Sequence, residues 1–480
     1  MMRFSSFNKT ALAMLVLVAA MPIATHAQTF TSLASFDLTN GAGPVAPLAQ
    51  GRDAKLYSTT ILGGAFQNDG TVFKITLGGT ITSLYSFALE SDPTAGLVLA
   101  NDGYFYGVTA NGGEGRCEYG CGQVFRISPK GAETTLYSFS LCPRADCAGG
   151  LYPYGSLVQG VDGNFYGTTA LGGPGGAGTV FKITPDGTLT TLHSFRFTDG
   201  YSPTAPLIQA TDGSFYGTTA AGGNLSCSPP GGCGTIFRIT RDGAFTSLHS
   251  FNQTDGDFPQ GLIQASDGGL YGVTFEGGSG DGGGTVFRAT LQGVVTTLYS
   301  FGFLSTYGYY PLGTLVQATD GNLYGTTQEG GTGGGLGGTI FRITLSGVFT
   351  SLYDFCSERN CADGSLPVAG LMQSTNGLLY GTTDEGGSYG VGTVFSLDAG
   401  LGPFVAFVHP FGKVGATGGI LGQGFTGTTS VMLNGVPASF TVVSDTYINA
   451  TVPPGATTGF VSVTTPTGVL KSNVPFRVIR

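Results

Sequence analysis

The stretch "PLIQATDGSFYGTTAAGG…GTIFRITRDGAFTSLHSF", residues 206–251, sets the reading of the whole chain. It divides into four short runs separated by turn residues. "PLIQA" is a first strand and "SFYGTT" a second, joined through Asp212-Gly213. That dipeptide is the favoured chemistry of a two-residue hairpin turn, whose central positions both need positive φ. "GTIFRIT" is a third strand, with Phe237 and Ile239 on one face and Arg238 on the other. "AFTSLHSF" is the fourth, entered through a glycine turn at Gly243. Four antiparallel strands in about fifty residues make one blade of a β-propeller.

The pattern recurs. "YG[TV]T" stands at Tyr106, Tyr166, Tyr216, Tyr271, Tyr324 and Tyr380, with "YSTT" at Tyr57 as a first variant. Each is followed by "GG", a variable loop, and "GTVF" or a near copy ending at Phe73, Phe125, Phe181, Phe237, Phe287, Phe341 or Phe395. The tyrosines lie 49 to 60 residues apart, a period that implies a solenoid, an array or a propeller. The seventh unit stops without a "TLYSF" strand, whereas residues 31–36 supply one at the front. An open solenoid has no use for that split and needs capping units instead. The expected fold is therefore all-β: a seven-bladed β-propeller of four-stranded blades over 28–397, its last blade closed by the N-terminal strand. The Gly after each Tyr is expected to let an aromatic ring of the next sheet pack close. Asp102, Asp162, Asp212, Asp267 and Asp320 of the Asp-Gly turns are expected to be turn formers.

Composition agrees. Gly is 84 of 480 residues, against a usual share of about 7%. The 41% hydrophobic content excludes a disordered linker. No helical period appears after residue 27, so almost no helix is expected. Residues 1–27 read as a signal peptide: Arg3 and Lys9, then "ALAMLVLVAAM", then "ATHA" before a cut after Ala27. A membrane anchor is the rival reading, but the apolar run is short for spanning, and no later segment is a candidate. The protein is expected to be exported, to the periplasm, the medium or the cell surface. Without Arg3 and Lys9, 18 basic residues face 29 acidic ones. That balance repels phosphate backbones, so nucleic acid is not an expected partner.

The signature "DGNFYGTTALGG…GTVFKITPDGTLTTLHSF", residues 162–195, resembles the GloVer repeats of secreted bacterial proteins in the choice-of-anchor group. The resemblance covers about 31–397 and implies no biochemical activity. Residues 398–403, "DAGLGP", read as a linker. Residues 404–480 resemble an IPT/TIG domain through "ILGQGF", "VMLNGVPA", "INATVPPG" and "GFVSVTTPTG". That resemblance implies an immunoglobulin-like β-sandwich. Such domains bind DNA in some settings; export and negative charge favour a spacer or adhesion role here.

The eight cysteines form four close pairs: Cys117/Cys121, Cys142/Cys147, Cys227/Cys233 and Cys356/Cys361. Local disulfides in an oxidising compartment are expected; a zinc site, the rival, lacks CxxC spacing and a nearby His. In a propeller, loops joining strands two to three and four to one emerge on one face, and all four pairs fall in such loops. Length variation concentrates there too. Stapled, variable loops on a rigid scaffold are where binding sits. On that face the residue before "GG" becomes Glu276, Glu329 and Glu385 in units five to seven, with Asp384 beside the last. These carboxylates could bind a cation such as calcium, orient a sugar or act as an acid/base pair; the alternative is solvated loop charge.

Other motifs fail on context. "GPGGAG" from Gly173 and "GGSYG" around Ser388 lie between strands, so neither makes a phosphate loop nor a nucleophile elbow. His193 and His249 occupy the Tyr slot of "LYSF", which with His409 leaves little for a Ser-His-Asp mechanism. Two functions follow. One is a non-catalytic binding or adhesion protein that uses the loop face for a glycan or protein surface; the absence of Trp counts against strong sugar stacking, though 21 Tyr are present. The other is a carbohydrate lyase or hydrolase acting through the carboxylates, an analogy from fold alone.

Overall fold

The computed structural model describes residues 28–479 except 67–68, 89–90, 115–116, 141–146, 228–230 and 333–335. The expected signal segment, 1–27, lies outside the described residues. The described residues are all-β apart from one 3-10 turn, Arg359–Cys361. Between Thr29 and Asp398, seven four-stranded antiparallel sheets are described. In the fourth unit the strands are Ile208–Gln209, Phe215–Thr219, Thr235–Ile239 and Phe245–Ser250. The first strand is thus shorter than its five-residue sequence signal.

The hairpin from the first to the second strand differs from the two-residue form. Ala210 accepts a hydrogen bond from Gly213 N–H at 2.9 Å and donates to the Ser214 carbonyl at 2.9 Å. Gly213 alone has positive φ, 84°; Asp212 stays in the ordinary region, as the loop is a β-turn followed by a left-handed glycine. Asp212 is then free for two bonds. Its Oδ1 accepts from Ser214 N–H at 2.9 Å, and its Oδ2 accepts from the buried Tyr216 hydroxyl at 3.0 Å. The same Asp–Tyr bond closes the turns at Asp53, Asp102, Asp162, Asp267 and Asp320. In the seventh unit the Asn376 amide donates to Tyr380 instead.

The Gly after each Tyr serves packing, but the ring comes from the same sheet. Gly217 pairs in register with Phe237 of the neighbouring strand. A Cβ on Gly217 would stand 2.6 Å from the Phe237 ring and from Leu207, an overlap worth about 1–3 kcal/mol. The ring is on the adjacent strand because directly paired residues point to one side of the sheet.

Consecutive units are joined by three repeated contacts. First, the Gly of "GTVF" meets the next unit's Pro: a Cβ on Gly234 would lie 2.6 Å from Pro259. Second, in five units the Gln of the first strand accepts from the preceding unit's turn, as Gln209 Oε1 does from Val161 N–H at 2.9 Å. Third, the residue before each Pro takes positive φ: Gly43, Asp92, Tyr152, Ser202, Phe258, Tyr310 and Leu366. For the six that are not Gly this costs about 1 kcal/mol each. The conformation aims the N–H at the preceding unit while the carbonyl stays in its own. Tyr310 donates to the Gly283 carbonyl at 2.8 Å and accepts from Gln328 N–H at 2.9 Å.

The seventh and first units share the same three contacts. Gly392 faces Pro44, Gln50 Oε1 accepts from Thr375 N–H at 2.9 Å, and Gly43 donates to the Val391 carbonyl at 3.1 Å. Thr29–Ser35 pairs antiparallel with Thr393–Asp398 as the outer strand of the seventh sheet, from Thr29↔Asp398 to Ser35↔Thr393. Asp398 is therefore a strand residue, where the sequence reading began a linker. A cavity of about 130 Å³ is lined by residues of every unit, from Val45 to Gly370.

Beyond Phe404 two further four-stranded sheets face each other over a core that includes Val405, Ile420, Phe425, Val431, Ile448 and Val463. A parallel ribbon, Phe411–Lys413 with Arg477–Ile479, flanks them. This C-terminal region packs on the face of the Asp–Tyr turns, which the sequence reading left bare. Leu421 and Tyr447 join Tyr57, Leu99 and Phe105 in one apolar cluster. The Arg52 guanidinium lies 4.7 Å over the Tyr447 ring, and Arg477 donates to the Ala210 and Thr211 carbonyls at 3.1 Å each.

Candidate functional site

The opposite face carries the loops. Three disulfides staple them: Cys117–Cys121, Cys227–Cys233 and Cys356–Cys361. The fourth expected bridge, at Cys147, is not among the disulfides of the described residues, because Cys142 lies outside them. Cys147 is placed like the buried bridged cysteines Cys121, Cys227 and Cys233. It is buried, and it packs with Val124, Phe139 and Leu151 in the core of the second and third units. Its carbonyl accepts from Gly150 N–H at 2.8 Å and from Gly173 N–H at 2.7 Å, so backbone bonds and burial fix this residue in place. Exposed rings and aliphatic chains, among them Phe66, Tyr119, Phe303, Leu304, Tyr307 and Tyr389, belong to the loops of this face.

Two sequence slots meet at this rim. One is the residue before "GG"; the other is two residues ahead of the Pro that enters the first strand. They pair across adjacent strands as Ala42–Leu62, Leu151–Leu171 and Tyr201–Ala221 in the first, third and fourth units. The fifth to seventh units pair Asp257–Glu276, Tyr309–Glu329 and Ser365–Glu385. The rim thus has an apolar part and an acidic part. Buried threonines fix the backbone of the acidic slots. Thr274, Thr327 and Thr383 donate to the carbonyls of Glu276, Glu329 and Glu385 at 2.9, 3.0 and 2.9 Å. Each also shares a hydrogen bond with a threonine of the third strand.

The four sequence-selected carboxylates do not share one site. Glu329 accepts from the Tyr309 hydroxyl at 2.8 Å. Burial and this bond push the Tyr309 phenol up to about 12. Glu385 is exposed, and Asp384 beside it is part-buried. Burial, then the Glu385 charge, raises the Asp384 carboxyl above its ordinary value. Glu276 alone of the four lines an open cleft of about 550 Å³, together with Gln253, Thr254, Asp257, Asp281 and Tyr310.

Asp257 is the group the sequence reading missed. The fifth unit has the longest first strand, Asp257–Gln264, which carries Asp257 to the rim beside Glu276. Asp257 is 4% exposed, and its Oδ1 accepts from Phe258 N–H at 2.9 Å. Burial raises its carboxyl to about 6; that bond opposes the shift and the Glu276 charge adds to it. Tyr310 forms the adjoining wall, its ring stacked on Phe275 at 4.6 Å. Its phenol is raised by burial, then by Glu276 and Glu329. The signal was present in "GDFP", residues 256–259, which differs from "GYSP" at 200–203 in the slot facing Glu276, and in "GYYP", residues 308–311, which differs from it in the residue just before Pro. Chemically the cleft offers the raised Asp257 carboxyl, the Glu276 and Asp281 side chains and an aromatic face. Among the described residues no three His, Cys, Asp or Glu converge to hold a metal ion.

The fold is similar to that of streptogramin B lyase, with 16% identity, 77% of this chain and 97% of that one covered, and a TM-score of 0.51. It is also similar to virginiamycin B lyase from Staphylococcus aureus, with 17% identity, 77% and 98% covered, and a TM-score of 0.50. At such identities the likeness shows a propeller-like all-β fold. No curated protein matches the chain. No helix among the described residues is long and apolar enough to cross a membrane. Residues 19–148, 95–301 and 227–439 match one repeat family, and together they span most of the sequence. Its glycine-spaced units, repeated from Tyr57 to Phe395, make this chain a member of the Gloeobacter/Verrucomicrobia repeat family.

Proposed function

We propose that the protein is an exported, non-catalytic binding protein that holds a glycan on the acidic part of its loop face. In this reading residues 28–397 form a seven-bladed propeller whose N-terminal strand closes the seventh blade. Residues 404–480 form an immunoglobulin-like, IPT/TIG-type sandwich that serves as a spacer. One observation carries the function: the cleft of about 550 Å³ sets the Asp257 and Glu276 carboxylates beside the Tyr310 ring, away from the face that the C-terminal region covers. Carboxylates accept sugar hydroxyls, and an aromatic ring packs on the apolar face of a pyranose. The Asp257–Glu276 strand pairing and the Thr274 bond to the Glu276 carbonyl hold these groups in place.

The raised carboxyl of Asp257 favours a second reading, a glycoside hydrolase or lyase. A protonated acid beside an ionised carboxylate is the pairing such chemistry uses. One experiment separates the two: a glycan array with a parallel product assay, on wild type and on the Asp257→Asn/Glu276→Gln double variant. Retention of a glycan without product, weakened about tenfold or more in the variant, supports binding. Product formed by wild type and lost in the variant supports the enzyme. Unchanged retention in the variant removes this cleft.

A further inference from the structure

The covered face holds a second site, independent of the loop-face cleft. Between the ribbon of Phe411–Lys413 and Arg477–Ile479 and the turns of the second and third units lies a cavity of about 240 Å³. Two polar atoms buried in its lining residues have no hydrogen-bond partner in the protein: His409 Nε2 and Gln159 Oε1. His409 is only 7% exposed.

Gln159 is an exception within the repeat. Gln50, Gln209, Gln264, Gln317 and Gln373 each accept, through Oε1, the turn N–H of the preceding unit. Gln159 is denied that bond where the C-terminal region docks. Its Nε2 still donates to the Gly163 carbonyl at 2.8 Å, which keeps the side chain in place. An unpaired buried acceptor costs about 1–3 kcal/mol, and a bound hydroxyl would relieve that.

The cavity adjoins a wider cleft of about 870 Å³, sharing Val161, Lys413 and Ile479 with it. There the chain, formally −9 overall, gathers positive charge. Arg238 is held by Asp212 and Ser214, and Arg477 by two carbonyls. Asp162 and Asp212 accept from Tyr166 and Tyr216. Arg241 and Lys413 are exposed and have no ion-pair partner among the described residues, leaving two uncommitted cations against Asp242.

We propose that this interdomain groove binds a sugar acid, with hydroxyls on Gln159 and His409, the ring against Phe411 and Phe476, and the carboxylate toward Lys413 and Arg241. Calorimetric titration of the full chain with glucuronate tests it, with glucose and acetate as controls that lack one feature each. The expected result is saturable glucuronate binding, with glucose and acetate each about tenfold weaker or worse. Arg241→Glu and Lys413→Glu, both at exposed positions, should weaken glucuronate about tenfold with the melting temperature unchanged. Gln159→Leu should weaken glucuronate and glucose alike. Glycan retention by the loop-face cleft should be the same in Arg241→Glu as in wild type, which separates the two sites. Absence of saturable glucuronate binding at millimolar concentration, equal binding of glucose, or affinity unmoved by the charge reversals would each overturn the proposal.

Discussion

The two faces of the repeated region are built from the same seven units but use their side chains differently. On the turn face the chemistry is uniform. Six units close the first hairpin with an aspartate that accepts from the tyrosine four residues on. On the loop face the equivalent slots change from unit to unit, from Leu62 and Ala221 to Glu276 and Glu329. Uniformity goes with burial, since each of those tyrosines is at most 1% exposed and its hydroxyl needs a partner. Variation goes with looser burial, since the slot before "GG" runs from buried Ala221 through part-buried Glu276 and Glu329 to exposed Leu62 and Glu385. There backbone bonds and buried threonines hold the main chain whatever the side chain. A repeated side chain here reports stability, and a varied one reports the place where ligand chemistry can differ.

The contrast presumes that both faces are ends of one closed set of sheets, and the largest effect tests that. Deleting residues 28–36 removes the outer strand of the seventh sheet and the fully buried Phe36. The melting temperature should fall by more than about 10 °C by circular dichroism. A smaller drop would mean that the seventh and first units hold together without the strand.

Next in size is the turn face itself. Asp320→Ala leaves the buried Tyr324 hydroxyl without its 2.9 Å partner and removes two bonds from Asn322. A loss of about 2 kcal/mol is expected, read as a lower urea midpoint at an unchanged slope. An equal loss from Glu385→Gln on the exposed rim would erase the distinction between the faces.

The smallest effect carries the opposite sign. Asp257 has a folded pKa of about 6, above its ordinary value of 3.8. Above pH 6 the folded protein holds a buried charge that the unfolded chain solvates freely. Asp257→Asn should therefore stabilise the protein by about 1–2 kcal/mol at pH 8. The gain should shrink as the pH falls through 6 and level off near 4. Thermal melts at pH 8 and pH 4 check this; a variant less stable than wild type at pH 8 would make Asp257 structural.

Much of the strand order was legible because it is local. Alternation, Asp-Gly turns and the spacing from "YGTT" to "GTVF" act over a few residues, and repetition displays them seven times. The closing segment could be recognised from "SLASF" alone, since it copies strands whose place is already known. The Asp–Tyr bond was missed, although Asp and Tyr lie only four residues apart, because the expected two-residue turn left the aspartate no second role. Gly217 was assigned to the wrong neighbour because a repeat shows that something packs there without showing from which side. Cysteine spacing likewise says which residues are near in the chain, and it is silent on burial, so it did not show that Cys121, Cys147, Cys227 and Cys233 sit in the cores. The acidic slots were visible one at a time, but Asp257 stands 19 positions from Glu276 in sequence. Only their cross-strand register joins them.

The amino-acid order, through short-range hydrogen bonding and apolar alternation, was sufficient for the strands, their number per unit and the two chemically distinct ends of each sheet. Only the tertiary structure decided that the C-terminal region covers the turn face and that Asp257 rather than Glu329 accompanies Glu276. It also decided that Gln159 loses the bond its five counterparts keep. The reason is physical: burial, pairing register and docking depend on groups far apart along the chain, whose approach no local pattern encodes.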